Sequence, residues 1–212
     1  MIEIRTAVVG VLETNCYLAY DPATMKGFFV DPGSDPEYLS QYAESLGFLP
    51  EAILLTHGHF DHTMAVKQLA ERFSIPYYVS ENERELMRDP QMNMSYAHCG
   101  AYGLKADRLL RDGDRLSLAG FSIEVIATPG HTAGSASYYL PEEKLLFSGD
   151  TLFRGTFGTT KLPTGSFSQI VSSIRDTLFL LPDDVNVLPG HSAPTTIGRE
   201  KAENPLRHRT FS

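Results

Sequence analysis

Thr56-His57-Gly58-His59-Phe60-Asp61-His62 carries three imidazoles and a carboxylate within six consecutive positions. A packed core or a solvated turn does not ordinarily gather that much metal-binding chemistry in one place. The stretch follows directly on an apolar run, 52–55, that reads as a short buried strand. It precedes a pattern with Val66, Leu69, Ala70 and Phe73 at helical spacing, which predicts a helix over 64–73. The cluster is therefore expected on a strand-to-helix loop.

Three other places repeat the arrangement. Val125-Ile126 leads to Thr128-Pro129-Gly130-His131, Leu145-Leu146-Phe147 to Ser148-Gly149-Asp150, and Val187-Leu188 to Pro189-Gly190-His191. Each time a ligand-type residue stands just past the end of an apolar strand. The carboxyl ends of strands are where α/β sheets bind ligands, because the sheet fixes the strands while the loops beyond them converge on one rim. His57, His59, Asp61, His62, His131, Asp150 and His191 form one candidate set, which takes five of the seven histidines. Seven donors exceed the needs of one tetrahedral ion and suit two ions sharing a carboxylate. Imidazole and carboxylate without thiolate suit zinc, and accommodate iron or manganese. His98 and His208 fall outside every ligand-spaced cluster and read as ordinary core or surface groups.

Outward from the cluster, strands are expected over 2–11, 16–20 and 27–30, a meander and hence antiparallel. Asp31-Pro32-Gly33 stops it, and Ser34-x-x-Glu37 with Pro36 opens a helix to about residue 46 that Gly47 ends. A strand over 75–79 is followed by a second capping box, Ser80-x-x-Glu83, and a helix that Pro90 ends. Residues 91–107 have no period and are assigned to a long loop whose Met94, Tyr96 and Tyr102 either pack beneath it or cover a site. The second half predicts strands over 115–118, 121–126, 135–140 and 145–147. A helix opened by Ser166-x-x-Gln169 then runs to about 181, followed by a strand over 185–188 and a short helix from Thr196. Both halves run from strands to helices with no linker between them, so an α/β layer architecture in a single domain over 1–212 is expected.

The chain has 212 residues, 42% hydrophobic and 21% charged, enough to bury a core without disulfides. Its formal charge is −8, from 18 basic against 26 acidic residues, which disfavours nucleic acid as a partner. Cys16 and Cys99 lie far apart with no Cys-x-x-Cys, which suits two free thiols in a reducing compartment. No basic segment followed by an apolar one opens the chain, and no apolar run spans a bilayer, so no membrane association and a cytoplasmic location are expected.

These residues, together with Asp31-Pro32-Gly33 and Asn204-Pro205, resemble the metallo-β-lactamase-fold hydrolases over nearly the whole chain, and within them the glyoxalase II-like (hydroxyacylglutathione hydrolase-like) branch. The resemblance implies a four-layer αβ/βα sandwich with a dinuclear metal site on one rim. By position, His57, His59 and His131 would hold one ion and Asp61, His62 and His191 the other. Asp150 would bridge them, with Asp61 and Asp150 taking the catalytic roles. The presence of Asp150 and the placement of both cysteines outside the motifs disfavour β-lactam hydrolysis. His59 disfavours the flavodiiron branch, which has glutamate there.

The implied reaction is hydrolysis of a thioester or ester in a small molecule by a hydroxide held between the ions. A thiolate leaves without a proton from a general acid, which makes a thioester the more comfortable substrate. Glyoxalase II proper is longer, with a C-terminal extension that contacts glutathione. Where relatives show Gly-Arg-x-Asp-x-Pro-x-Gly-Asp, this chain reads Gly158-Thr159-Thr160-Lys161-Leu162-Pro163-Thr164-Gly165-Ser166. Arg154 and Lys161 stand either as solvated loop charges or as partners of a substrate carboxylate. The competing readings are a mononuclear iron persulfide dioxygenase-like oxidoreductase, a nuclease of the same fold and a non-enzymatic metal-stabilised domain.

Overall fold

Alternation along the strands decides what each face of each sheet covers. In β3 (Lys26–Val30), Phe28 and Val30 belong to one buried cluster while Phe29 belongs to another. Both faces of the strand are therefore buried, which is why it reads as a continuous apolar run. The computed structural model describes residues 1–207, so His208 lies outside the described residues.

One six-stranded sheet places β1 (Glu3–Val9), β2 (Thr14–Tyr20), β3, β4 (Leu49–Leu54), β5 (Tyr77–Ser80) and β6 (Arg108–Leu110) side by side in chain order. The first three pair antiparallel and the remainder parallel, as a meander followed by βαβ units requires. The second half supplies β7 (Arg115–Leu118), β8 (Phe121–Ala127), β9 (Ala136–Leu140), β10 (Leu145–Gly149), a two-stranded hairpin of β11 (Leu152–Phe153) and β12 (Thr156–Phe157), then β13 (Asn186–Pro189) and β14 (Thr195–Thr196). Its six-stranded sheet has the order β14-β13-β10-β9-β8-β7.

Three apolar clusters define the layers. Tyr17, Phe28, Val30 and Leu54 of the first sheet meet Ile123, Tyr138, Leu140 and Phe147 of the second, so the sheets pack face to face. On the far side of the first sheet, Leu18, Phe29, Ile53 and Val79 take Leu39 and Ala43 of α1 (Pro36–Leu46). Below the motif turn α2 (Phe60–Thr63), the same face also takes Val66 and Leu69 of α3 (Val66–Phe73). On the far side of the second, Ile126, Tyr139, Leu146 and Val187 take Ile170, Ile174, Leu178 and Ile197. This is the αβ/βα sandwich expected. No helix among the described residues is long and apolar enough to cross a membrane.

The departures are local and have local causes. The helix expected over 64–73 is α3, starting two residues later, and a separate turn, α2, places Asp61 and His62 on helix instead of a loop. Ser34 does not cap α1. Asp35 precedes it in a left-handed conformation (φ 55°) without capping, because its carboxylate accepts the Gly10 N–H at 2.9 Å. Ser80 does accept the Asn82 N–H, but Glu83 is not its capping partner and turns into the interior before α4 (Arg84–Arg88). The 91–107 loop contains a turn of helix, α5 (Ser95–His98), organised by Asn93, whose amide donates to the Met87 and Tyr102 carbonyls. The helix opened by Ser166 is α6 (Phe167–Ser172), continued by a π-helical turn and a 3₁₀ turn. β6, β11, β12 and β14 were not expected, since segments of two or three residues carry no period. The short helix expected from Thr196 is α7 (Ile197–Glu203), and Thr196 caps it.

Phe147 is fully buried between the sheets, its ring 5.4 Å from Tyr17 and 6.1 Å from Phe28 across the interface. Phe147→Ala should lower the unfolding free energy by about 3–5 kcal/mol, read from urea denaturation.

Candidate metal centre

The four strand-end loops do converge on one rim. His57 and His59 follow β4, Asp61 and His62 lie on α2, His131 follows β8, Asp150 follows β10 and His191 follows β13. Three groups of donor atoms fall within 4.8 Å of one another: His57, His59 and His131; His57, His62 and Asp150; and Asp61, His62 and His191. All seven expected residues are thus brought together, and the two outer groups share no member.

Hydrogen bonds fix which ring nitrogens face the cluster. Asp31 Oδ1 accepts the Thr56 N–H at 2.8 Å, and its Oδ2 accepts the Thr56 hydroxyl at 2.6 Å. That hydroxyl has one proton and has given it away, so its oxygen must accept from His57 Nδ1 at 3.1 Å. The His57 proton is therefore on Nδ1, and Nε2, buried with no hydrogen-bond partner, keeps its lone pair. His62 Nδ1 donates to Asp31 Oδ2 at 3.0 Å, which turns its Nε2 inward. His131 Nδ1 donates to the Thr159 carbonyl at 2.8 Å, with the same result. Its Nε2 lies 2.9 Å from His59 Nδ1. Metal-ligating histidines ordinarily have the second nitrogen tied in this way.

Electrostatics divide the cluster. Burial, reinforced by neighbouring imidazoles, pushes His57 far down and His59 to about 3, so both are neutral at pH 7 without a metal. Burial also acts to lower His62 and His191, but the Asp150 and Asp61 carboxylates outweigh it and raise both. Burial acts to raise the Asp61 and Asp150 carboxyls, and the imidazoles outweigh it and hold both ionised. Asp150 Oδ1 is a further buried atom with no hydrogen-bond partner, 3.4 Å from His62 Nε2. Inward lone pairs, unpartnered buried donors and ionised carboxylates are what a cation requires, and the His/Asp cluster is capable of binding one.

Residues 9–191 match the family described as "Metallo-beta-lactamase superfamily". The chain belongs to that family. A "Probable metallo-hydrolase YqgX" of Bacillus subtilis (strain 168) is 36% identical over 204 residues, 95% of this chain and 96% of that one. A "Hydroxyacylglutathione hydrolase GloC" of Haemophilus influenzae (strain ATCC 51907 / DSM 11121 / KW20 / Rd) is 34% identical over 208 residues, 97% and 98% of the two chains. Among solved structures, the BLEG-1 B3 metallo-beta-lactamase superposes with a TM-score of 0.91 at 38% identity, covering 96% of this chain and 99% of that one. TTHA1623 in a di-iron-bound form gives 0.84 at 35%, covering 95% and 99%.

Within this metallo-hydrolase scaffold the supporting residues deserve equal weight with the donors. Asp31, read from sequence only as a strand stop, sets the protons of two imidazoles from a left-handed backbone (φ 49°) that costs about 1–2 kcal/mol. It too is a carboxylate just past a strand end, so the rule that found the other donors points to it. Glu83 accepts the Gly58 N–H and the Thr132 hydroxyl, both at 3.0 Å, and so ties the His57–His59 loop to the His131 loop. Nothing in its sequence context distinguishes it from a capping residue. Asn15 donates to the Pro189 and Ser192 carbonyls, and Tyr17 to Pro189, holding the His191 loop against β2. Gly190 admits the site, since a Cβ there would lie 2.2 Å from Asp150 Oδ1. His98 stacks flat on Phe60, 4.7 Å between centroids. Tyr102 bonds Thr63 and the Phe60 carbonyl, which makes it a brace for α2, and Tyr96 is exposed. Cys16 is buried and Cys99 exposed, both free.

Asp31→Asn keeps the shape but presents an amide N–H₂ where Thr56 and His62 now donate. Metal affinity, measured by competition with a chelating dye, should fall about 10–100-fold with the circular dichroism spectrum retained. Burial raises Glu83 from 4.5 to about 7, against the pull of its hydrogen bonds. Its folded-state value lies above the unfolded one, so its contribution to stability is complete below 4.5 and is lost as pH rises through about 7. Glu83→Gln cannot ionise. In metal-free protein, the stability difference between variant and wild type should move in the variant's favour by on the order of 2 kcal/mol between pH 5 and pH 8, read from urea unfolding.

Proposed function

We propose that the chain is a dinuclear metallo-hydrolase cleaving a thioester, or an ester, in a small molecule. The observation that carries this reading is the pair of non-overlapping donor groups, with Asp150 between them and its Oδ1 without a partner. In it His57, His59 and His131 would hold one ion and Asp61, His62 and His191 the second, with Asp150 as the carboxylate available to both. Zinc suits these donors, and iron or manganese is accommodated. Divalent ions bound there supply a water ionised near neutral pH and a Lewis acid for the carbonyl oxygen.

The chain's own residues do the remainder. Asp61, kept ionised by His62 and His191, lines the cavity above the donors and is placed to take the proton of the attacking water. Leu12, Phe60, Met94 and Leu162 line the same cavity and keep it poor in bulk water. Among the described residues it holds no lysine and no carboxylic acid apart from Asp61 and Asp150 to protonate a leaving group. A thiolate, with a free pKa near 8.5, leaves without that help. The curated hydroxyacylglutathione hydrolase relative supports the same class of bond.

Kinship with a B3 metallo-beta-lactamase supplies a second reading, since a β-lactam also presents an activated carbonyl. A panel of a thioester, its matched oxygen ester and a β-lactam, run on protein of known metal content, decides between them. The thioester should be turned over fastest, with chelation abolishing activity and zinc, iron or manganese restoring it. Asp61→Asn should lower kcat by about a hundredfold or more. Faster turnover of the β-lactam reverses the assignment.

A further inference from the structure

Beside the donor cluster lies a second cavity of about 470 Å³, within the range of sites that enclose a small organic ligand. It is continuous with the first: Leu12, Phe60, Asp61 and His98 wall both. One side is the tip of the β1–β2 hairpin and the other is the α2 turn. The hairpin tip is pinned, with Gly10 N–H bonded to the Asp35 carboxylate and Glu13 N–H to the Gly10 carbonyl at 3.2 Å. What it offers there is apolar: Val8, Val11 and Leu12 face Phe60 and Met64, and Val11 is 92% exposed. A pinned turn that leaves this much apolar surface uncovered beside a reaction centre is unlike a surface built only for solvent.

Charge narrows the occupant. Among the described residues no lysine or arginine lines either cavity, and the charged side chains present are Asp35, Asp61 and Asp150 beside the histidines. Arg154 and Lys161, the cations that the sequence offered for a substrate carboxylate, line neither. Away from the ions proposed for the donor cluster, an anionic arm in the second cavity would meet the Asp35 carboxylate and no cationic side chain, in a chain of net charge −8.

Resting on the thioester reading above, we propose that this cavity is a specificity subsite for an uncharged, apolar arm of the substrate, and that it selects against anionic arms such as a glutathionyl group. Burying an arm of leucine size against Val11, Leu12 and Met64 favours it by about tenfold or more over its exposed state.

The test uses binding as well as turnover. Two non-hydrolysable thioether ketones, identical except that one carries a neutral alkyl arm and the other a glutathionyl arm, are titrated into the metal-loaded protein by calorimetry. The neutral compound should bind about tenfold or more tightly. Met64→Lys, at the rim of the cavity and away from the donors, should weaken it and strengthen the anionic compound, narrowing or inverting the ratio. Equal or tighter binding of the glutathionyl compound to wild type, or a ratio that Met64→Lys leaves unchanged, overturns the subsite. The corresponding thioesters are assayed for hydrolysis on the same preparation. Binding with the expected preference but no turnover discards the thioester reading and keeps the subsite. Turnover with the glutathionyl thioester preferred does the reverse.

Discussion

A single carboxylate sets the protonation pattern on one side of the cluster. Asp31 accepts the Thr56 hydroxyl and the His62 ring N–H, and through Thr56 it also dictates the proton on His57. Two imidazoles that arrive from opposite ends of the seven-residue motif are thereby committed to the same tautomer. Without that constraint each would have two tautomers, and three of the four combinations would aim at least one N–H into the cluster. The left-handed backbone at Asp31 is a local cost accepted because the carboxylate has three donors to satisfy at once.

The same economy appears where the two sheets meet. Fully burying apolar faces on both sides of each sheet gives a rigid frame, but the loops beyond the strands need their own fastening. Glu83 fastens the loop after β4 to the loop after β8, and Asn15 with Tyr17 fastens the loop after β13 to β2. Both fastenings run between the halves of the chain. The electrostatic division of the cluster also follows the frame. His57 and His59 are neutral because they are buried among other imidazoles, whereas His62, just as buried, and His191 sit against the two carboxylates.

Much of this was legible in the sequence because strands buried on both faces are continuous apolar runs, and ligands placed just past their ends are conspicuous. The seven residues that the structure brings together came from that pattern, and the antiparallel opening from the meander of consecutive strands. What escaped was whatever depends on partners distant in the chain. Ser34 and Asp35 compete for one helix start, and a hydrogen bond from Gly10 decides it. Glu83 sits three residues after a serine and so looks like a cap, while its actual partners are Gly58 and Thr132. The short strands β6, β11, β12 and β14 exist by pairing alone and have no period to detect. Arg154 and Lys161 could be weighed from sequence only as charges near the site, and their positions remove them from the cavities.

The division of donors between the two sheets sets an order of events during biosynthesis. His57, His59, Asp61 and His62 emerge with the first sheet, together with Asp31 and Thr56, which orient them. His131, Asp150 and His191 emerge only with the second, and the His191 loop is seated by hydrogen bonds from β2, made near the beginning of synthesis. A nascent chain therefore holds only four members of the cluster until the second sheet follows. The hydrogen bonds from Asn15 and Tyr17 thus join residues made near the beginning of synthesis to the loop that carries the final member of the cluster.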